Sequence, residues 1–230
     1  MSAQVAELRG ILERSFPDAI PPAYRTAGGI STGLGALDRA LPNGGLPRGR
    51  LSTWQAGVGS AALLRAACLE VVRGGERAVW IDAQRVACAD VSWAGVALVR
   101  PEEARDALLC AEELLRCGGF ALVVLSGMET RGTERLRLCR AAREGGSAFV
   151  ESSGEGYMAA VRIRSWVGAG ALGWERSELG EPIRLKEVRV RVRATALGWS
   201  QEAEVSLPVA SHAHRLSLEP ALVSRRGAAR

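Results

Sequence analysis

An α/β fold is predicted, a three-layer sandwich with a mostly parallel central sheet and antiparallel strands toward the C-terminal side. Three observations predict it. Short apolar runs alternate with helix-length segments from residue 49 to residue 151. A small glycine turn, Ala56-Gly57-Val58-Gly59-Ser60, joins the first such strand to the first such helix. After Gly156 the pattern changes to alternation of apolar and polar residues, which marks strands with one wet face.

Each element follows from its residues. Gln4 to Ser15 carries Val5, Leu8, Ile11 and Leu12 in one stripe, followed by Phe16, which is helical spacing. Pro17, Pro21 and Pro22 break the pattern. Residues 1–22 are therefore expected to form a helix and extended linker, either folded back on the core or reaching out as an interaction arm. Residues 23–208 are expected to form the core. Gly49–Gln55 reads as a strand and Ala61–Arg73 as a helix. Ala78–Asp82, Val96–Val99 and Phe120–Leu125 suit strands buried on both faces. Ala104–Cys117 repeats apolar residues at helical spacing until Gly118-Gly119. Thr133–Arg143 reads as another helix and Ser147–Glu151 as a strand. Met158–Val167, Leu185–Arg193 and Ala203–Leu207 read as antiparallel strands, with Val188, Val190 and Val192 set against Arg189, Arg191 and Arg193. Residues 209–230 have little periodicity, end in Arg225, Arg226 and Arg230, and are expected to be a mobile basic tail.

Composition sets the outer bounds. At 230 residues and 47% hydrophobic, the chain has enough apolar material for a buried core and too much for wholesale disorder. No apolar run reaches membrane-spanning length, and the N-terminus lacks the basic and apolar blocks of a signal peptide. A cytoplasmic protein with no membrane partner is expected. Five cysteines form no CxxC pair and read as small core residues in a reducing compartment. His212 and His214, the two histidines, make a poor zinc site without a further ligand, so no metal is expected. The net charge of +5 and a pI near 9.3 permit a nucleic-acid partner.

Strand, glycine turn and helix from Gly49 to Arg73 form the layout of a phosphate-binding loop. In such loops backbone N–H groups cradle phosphates, a lysine reaches the outer oxygens and a hydroxyl holds magnesium. This chain has one lysine, Lys186, far along the sequence. After Gly57 and Gly59 come Ser60 and Ala61, which supply no cation. The loop is expected to be vestigial, without catalytic residues and without a cofactor.

Several stretches resemble the bacterial RecA recombinase family, in the same order along nearly the whole chain. Ile30-Ser31-Thr32-Gly33 with Leu37-Asp38-Ala40-Leu41, then Gly44-Gly45-Leu46-Pro47-Arg48-Gly49-Arg50, resembles the family's entry into its phosphate loop. Trp80-Ile81-Asp82-Ala83, Tyr157 to Ile163, and Val188 to Arg191 resemble later strands. Leu8 to Ile20 is similar to the family's N-terminal helix and linker, which packs on the adjacent protomer of a filament. The resemblance implies a RecA-like sandwich whose hydrolytic residues have been replaced. Ser60 stands at the lysine position, Ala61 at the hydroxyl, Gln84 at the water-activating glutamate and Leu125 at the magnesium-site aspartate. The lysines contributed across the family's subunit interface would fall near Ala194-Thr195-Ala196. The family's two DNA-binding loops are shortened, with only residues 153–156 left for the second.

That pattern of loss resembles the ImuA family of translesion-synthesis accessory proteins. It implies no enzyme. It implies instead a DNA-damage (SOS) response protein that binds RecA or its filament, an error-prone polymerase-like partner, or DNA without sequence specificity. Partner binding is expected on Val5, Leu8, Ile11, Leu12 and Phe16. Nucleic-acid contact is expected on Arg225, Arg226 and Arg230, or alternatively on Arg189, Arg191 and Arg193, whose bland reading is a solvated sheet face. Two other functions stay open: a cell-division inhibitor of the SulA kind, and a switch that senses ATP without cleaving it.

Overall fold

Strands buried on both faces need helices on both sides of the sheet, and that rule arranges the parallel part of this chain. The computed structural model describes residues 28–55, 57–85, 87, 93, 95–152 and 158–208. The strands are β1 (Leu51–Gln55), β2 (Ala78–Asp82), β3 (Ala97–Val99), β4 (Leu122–Ser126), β5 (Ala148–Ser152), β6 (Val161–Arg176), β7 (Pro182–Ala196) and β8 (Trp199–Pro208). They form one sheet in the order β3-β2-β4-β5-β1-β6-β7-β8. Neighbours from β3 to β6 are parallel; β7 and β8 are added antiparallel. The helices are α1 (Gly35–Ala40), α2 (Ser60–Arg73), α3 (Ala104–Arg116) and α4 (Gly132–Gly145). This is the expected RecA-like α/β sandwich.

Two cores lie on the two faces. Trp54, Ala78, Trp80, Leu122, Val124 and Val150 meet Leu37 of α1 and Leu63, Leu64, Ala67 and Val71 of α2. Val79, Ile81, Val123, Leu125 and Phe149 meet Ala107, Ala111 and Leu115 of α3 and Leu138 and Ala142 of α4. Adjacent residues of β2 thus serve opposite cores, so all five are buried. In β6–β8 Val161, Ile163, Val190, Val192, Ala194 and Val205 join the α1/α2 core, and among the described residues the other side is uncovered. Arg162, Arg164, Arg189, Arg191 and Arg193 alternate with them and are exposed.

The stretch Ile30 to Asp38 proves to be a folding lock. The Asp38 carboxylate accepts hydrogen bonds from Ser31 Oγ at 2.8 Å, Thr32 N at 2.8 Å and Thr32 Oγ1 at 2.7 Å. Fully buried Thr32 and Leu37 then seat short α1, which has too few residues for the sequence pattern to reveal it.

Three expectations are corrected. Val96–Val99 was expected to be buried on both faces; β3 is instead the three-residue edge of the sheet and is partly exposed. Second, the cysteines are not uniformly core. Cys68 is fully buried, and burial pushes its thiol up to about 12. Cys110 and Cys139 are half-buried and Cys117, just past the end of α3, is exposed. Third, the β6–β7 hairpin runs nine residues past Val167 on β6, because glycines at 168, 170 and 173 interrupt the alternation without ending the strand. The arm residues Val5, Leu8, Ile11, Leu12 and Phe16 lie outside the described residues, as do Arg225, Arg226, Arg230, Cys88, His212 and His214.

Candidate functional site

Strand β1 lies between β5 and β6, and its chain leaves toward β2 on one side while β5 connects to β6 on the other. In open α/β sheets ligands bind outside the carboxyl ends of the strands at such a reversal. The turn from Gly57 to Ser60 occupies that place.

The turn satisfies itself. Ser60 Oγ accepts the Gly57 N–H at 3.1 Å and donates to the Gly57 carbonyl at 2.8 Å, while Ser60 N–H donates to the same carbonyl at 3.1 Å. A hydroxyl therefore sits on a backbone N–H of the kind that would cradle a phosphate. Gly59 has φ +85°, and a Cβ there would come within 2.9 Å of Val190 Cγ2; one on Gly57 would come within 2.9 Å of the Ser165 carbonyl. The loop is wedged against β6 and β7. Ala61, in the first turn of α2, is exposed and ends in a methyl.

The other altered positions are built into the scaffold as well. Leu125 is fully buried in the α3/α4 core. Its neighbour Ser126 accepts a hydrogen bond from Trp80 Nε1 at 2.7 Å and donates to the Ile81 carbonyl at 3.3 Å. Gln84 packs over Gly127, where an added Cβ would meet its side chain at 2.9 Å. Asp82 is wholly buried. It accepts the Ala87 N–H at 2.7 Å and faces Arg100 Nε at 3.8 Å, so it braces the turn after β2.

One group that sequence reasoning missed is a buried ion-pair clamp. Glu151, near the end of β5, and Arg135, in α4, are 0% and 1% exposed at the side chain, with Arg135 donating to Glu151 at 2.9 Å. Thr130 gives Glu151 both its N–H (3.1 Å) and its hydroxyl (2.6 Å), and accepts from Arg135 Nε at 3.1 Å. The clamp ties the β4–α4 connection to the sheet rim. A glutamate ending the apolar run Ala148-Phe149-Val150 was the available signal.

On the β7 face, Arg189, Arg191 and Arg193 are exposed as expected and meet acids that the sequence pattern did not pair with them. Glu204 lies 3.8 Å from Arg189 and 3.4 Å from Arg191; Glu202 accepts from Arg193 Nε at 2.7 Å. A groove of about 480 Å³ lies elsewhere, between α3 and α4, lined by Leu108, Leu109, Glu112, Arg137 and Leu138 among others. Among the described residues no group of three His, Cys, Asp or Glu side chains converges to hold a metal, and no helix is long and apolar enough to cross a membrane.

No protein-family model matches the chain. A stretch of 107 residues is 35% identical to the protein RecA of Borreliella afzelii (strain PKo), covering 43% of this chain and 29% of that protein. The chain thus spans less than a third of the length of the relative it matches. The relationship to RecA is partial and remote. It agrees with the fold.

Proposed function

We propose that this chain is a non-catalytic, RecA-like accessory protein of the DNA-damage response. In this reading it engages RecA or its filament, an error-prone polymerase partner, DNA, or a combination, and shifts the balance between recombination and lesion bypass. Its role is that of an ImuA-like factor. The observation that carries the reading is the self-closed turn: Ser60 occupies the Gly57 N–H, Ser60 rather than a lysine comes directly after Gly59, and Leu125 and Gln84 stand where the resemblance to RecA places the acids that hydrolysis needs. Phosphoryl transfer relies on positioned charge and metal, and in this reading the side chains that would supply or hold them have been replaced. What such a scaffold retains is surface.

The test has two parts. Purified full-length chain should show no magnesium-dependent ATP turnover; turnover abolished by Gly59→Leu would reverse the non-catalytic assignment. Immobilised chain should capture purified RecA, and Leu8→Asp with Leu12→Asp should abolish capture while the circular dichroism spectrum is unchanged. Burying two leucines contributes about 1.5–3 kcal/mol each before entropic costs, enough for their loss to be decisive. Capture undiminished in the double variant removes the arm from the proposal.

A further inference from the structure

We infer that the open face of β6–β7 grips a single-stranded nucleic acid, with Arg162 and Arg164 as the principal phosphate contacts and Trp166 beside them. The inference rests on the proposed function and assigns its nucleic-acid contact to a surface other than the tail.

The sheet register places these groups together. Along β6, Arg162, Arg164 and Trp166 share the face away from α1 and α2, with alternate residues about 7 Å apart. On β7, Arg164 lies directly opposite Arg193 and Trp166 opposite Arg191. Like charges directly opposite each other destabilise a sheet, so the Arg164–Arg193 pair is a cost that an anion would relieve. Acids do not neutralise it evenly. Glu202 and Glu204 stand on β8 opposite Arg193 and Arg191, and Glu187 is held by Ser206 at 2.7 Å. Five arginines face three glutamates, and the acids lie on the β7–β8 side. Arg162 and Arg164 are exposed and have no acidic partner among the described residues. The positive surplus is therefore on β6.

The ligand class follows from shape and chemistry. Helices α1 and α2 pack on the opposite face of β6–β8, and among the described residues this side is an uncovered sheet about 15 Å across three strands. Among the described residues no helix protrudes from it to enter a duplex groove. A row of cations ending in an aromatic ring suits a flexible strand, whose phosphates pair with arginine while a base packs on the ring. Trp166 is half-buried, with the Arg193 guanidinium 5.8 Å from its ring centroid, so the ring is already held in place beside the cations.

The experiment is fluorescence anisotropy of labelled oligo-dT with the full chain across a salt series. Arg162→Gln with Arg164→Gln should weaken binding at least tenfold. It should also reduce the slope of log affinity against log salt by about 1.4, two phosphates at about 0.7 each. Glu202→Gln, which frees Arg193, should strengthen binding, a gain that misfolding cannot mimic. If the β6 double variant binds as the parent does while Arg225→Gln, Arg226→Gln and Arg230→Gln together abolish binding, the face is excluded and DNA binding by this protein stands. A parent chain that does not bind oligo-dT at low salt removes both this face and the nucleic-acid part of the proposed function, leaving RecA capture as a separate question. Equal displacement by poly-glutamate of matched charge assigns the face to an acidic protein and overturns the inference.

Discussion

The two halves of the sheet use arginine in opposite ways. In the parallel half, from β2 to β1, both faces are covered, and Arg135 is taken inside and locked to Glu151 and Thr130. In the antiparallel half, β6 to β8, one face is bare among the described residues, and exposed arginines at 162, 164, 189, 191 and 193 line it. Burial decides what each charge can do. A guanidinium sealed against a carboxylate specifies structure, and its loss leaves an unpaired charge in a low-dielectric interior. A solvated guanidinium contributes little to stability and stays available to a ligand. The parallel half reads as scaffold and the antiparallel half as working surface.

The largest effect should come from breaking the clamp. Arg135→Leu strands Glu151 inside the protein and should cost about 3–5 kcal/mol, measured from the urea midpoint at unchanged m-value. Arg135→Met with Glu151→Leu should recover part of that loss, because no buried charge remains. Recovery stays incomplete because Thr130 N–H, donated to Glu151, loses its acceptor. A single variant within 1 kcal/mol of the parent would mean that water reaches the clamp, and the contrast between the halves would fail.

Next in size is the turn that joins them. Gly59→Ala places a methyl at φ +85° and 2.9 Å from Val190 Cγ2, for an expected cost of about 1–3 kcal/mol. Adding Val190→Ala should relieve the collision and leave the backbone strain. A Gly59→Ala cost that is the same in the Val190→Ala background as in the parent would show that the strain is all backbone.

Much of the scaffold was legible in the sequence. Ala78–Ile81 is an apolar block between Arg77 and Asp82, Phe120–Leu125 is one between Gly119 and Ser126, and Val188 to Arg193 alternates so regularly that its wet face could be named residue by residue. Three features were not legible, each for a physical reason. Arg135 sits in α4 among Arg131, Glu134, Arg137 and Arg140, where charge reads as helix surface; only the third dimension brings Glu151 to it. The missing lysine was plain, but the hydrogen bonds by which Ser60 closes the turn depend on its rotamer. The reach of the β6–β7 hairpin was hidden by Gly168, Gly170 and Gly173, which erase side-chain periodicity while the pairing shifts register between Val167 and Leu172 without ending the strand.

A smaller effect should separate the two halves by pH. Glu112 of α3 is nearly buried and accepts from Arg116 of its own helix at 2.6 Å and from Arg137 of α4. Burial works to raise its pKa, but the hydrogen bonds and charges of the two guanidinium groups outweigh it and hold the carboxyl below the usual glutamate value. A folded-state pKa that is lowered gives stability present above the ordinary value, about 4.3, and lost as pH falls through the folded one. Glu112→Gln should therefore be less stable than the parent at pH 7, with the deficit shrinking as pH falls below the ordinary glutamate value. A deficit that persists in acid would assign the residue's role to packing between α3 and α4.

On the open face the expected stability change is smallest. Glu204 is about half exposed, lies 3.8 Å from Arg189 and 3.4 Å from Arg191, and both of those side chains are about half exposed too. Pairs of this kind contribute about 0–1 kcal/mol, less at high salt. Glu204→Gln should leave the urea midpoint within that range. Freed of their shared acid, Arg189 and Arg191 would add to the surplus on β6, so oligo-dT binding should tighten and its salt slope steepen by up to about 1.4. The two readouts thus move independently, near zero for folding and upward for binding, which is the behaviour of a working surface. A loss above 2 kcal/mol without a gain in binding would make β7–β8 a salt-bridged scaffold like the parallel half, and would remove the asymmetry on which the nucleic-acid face depends.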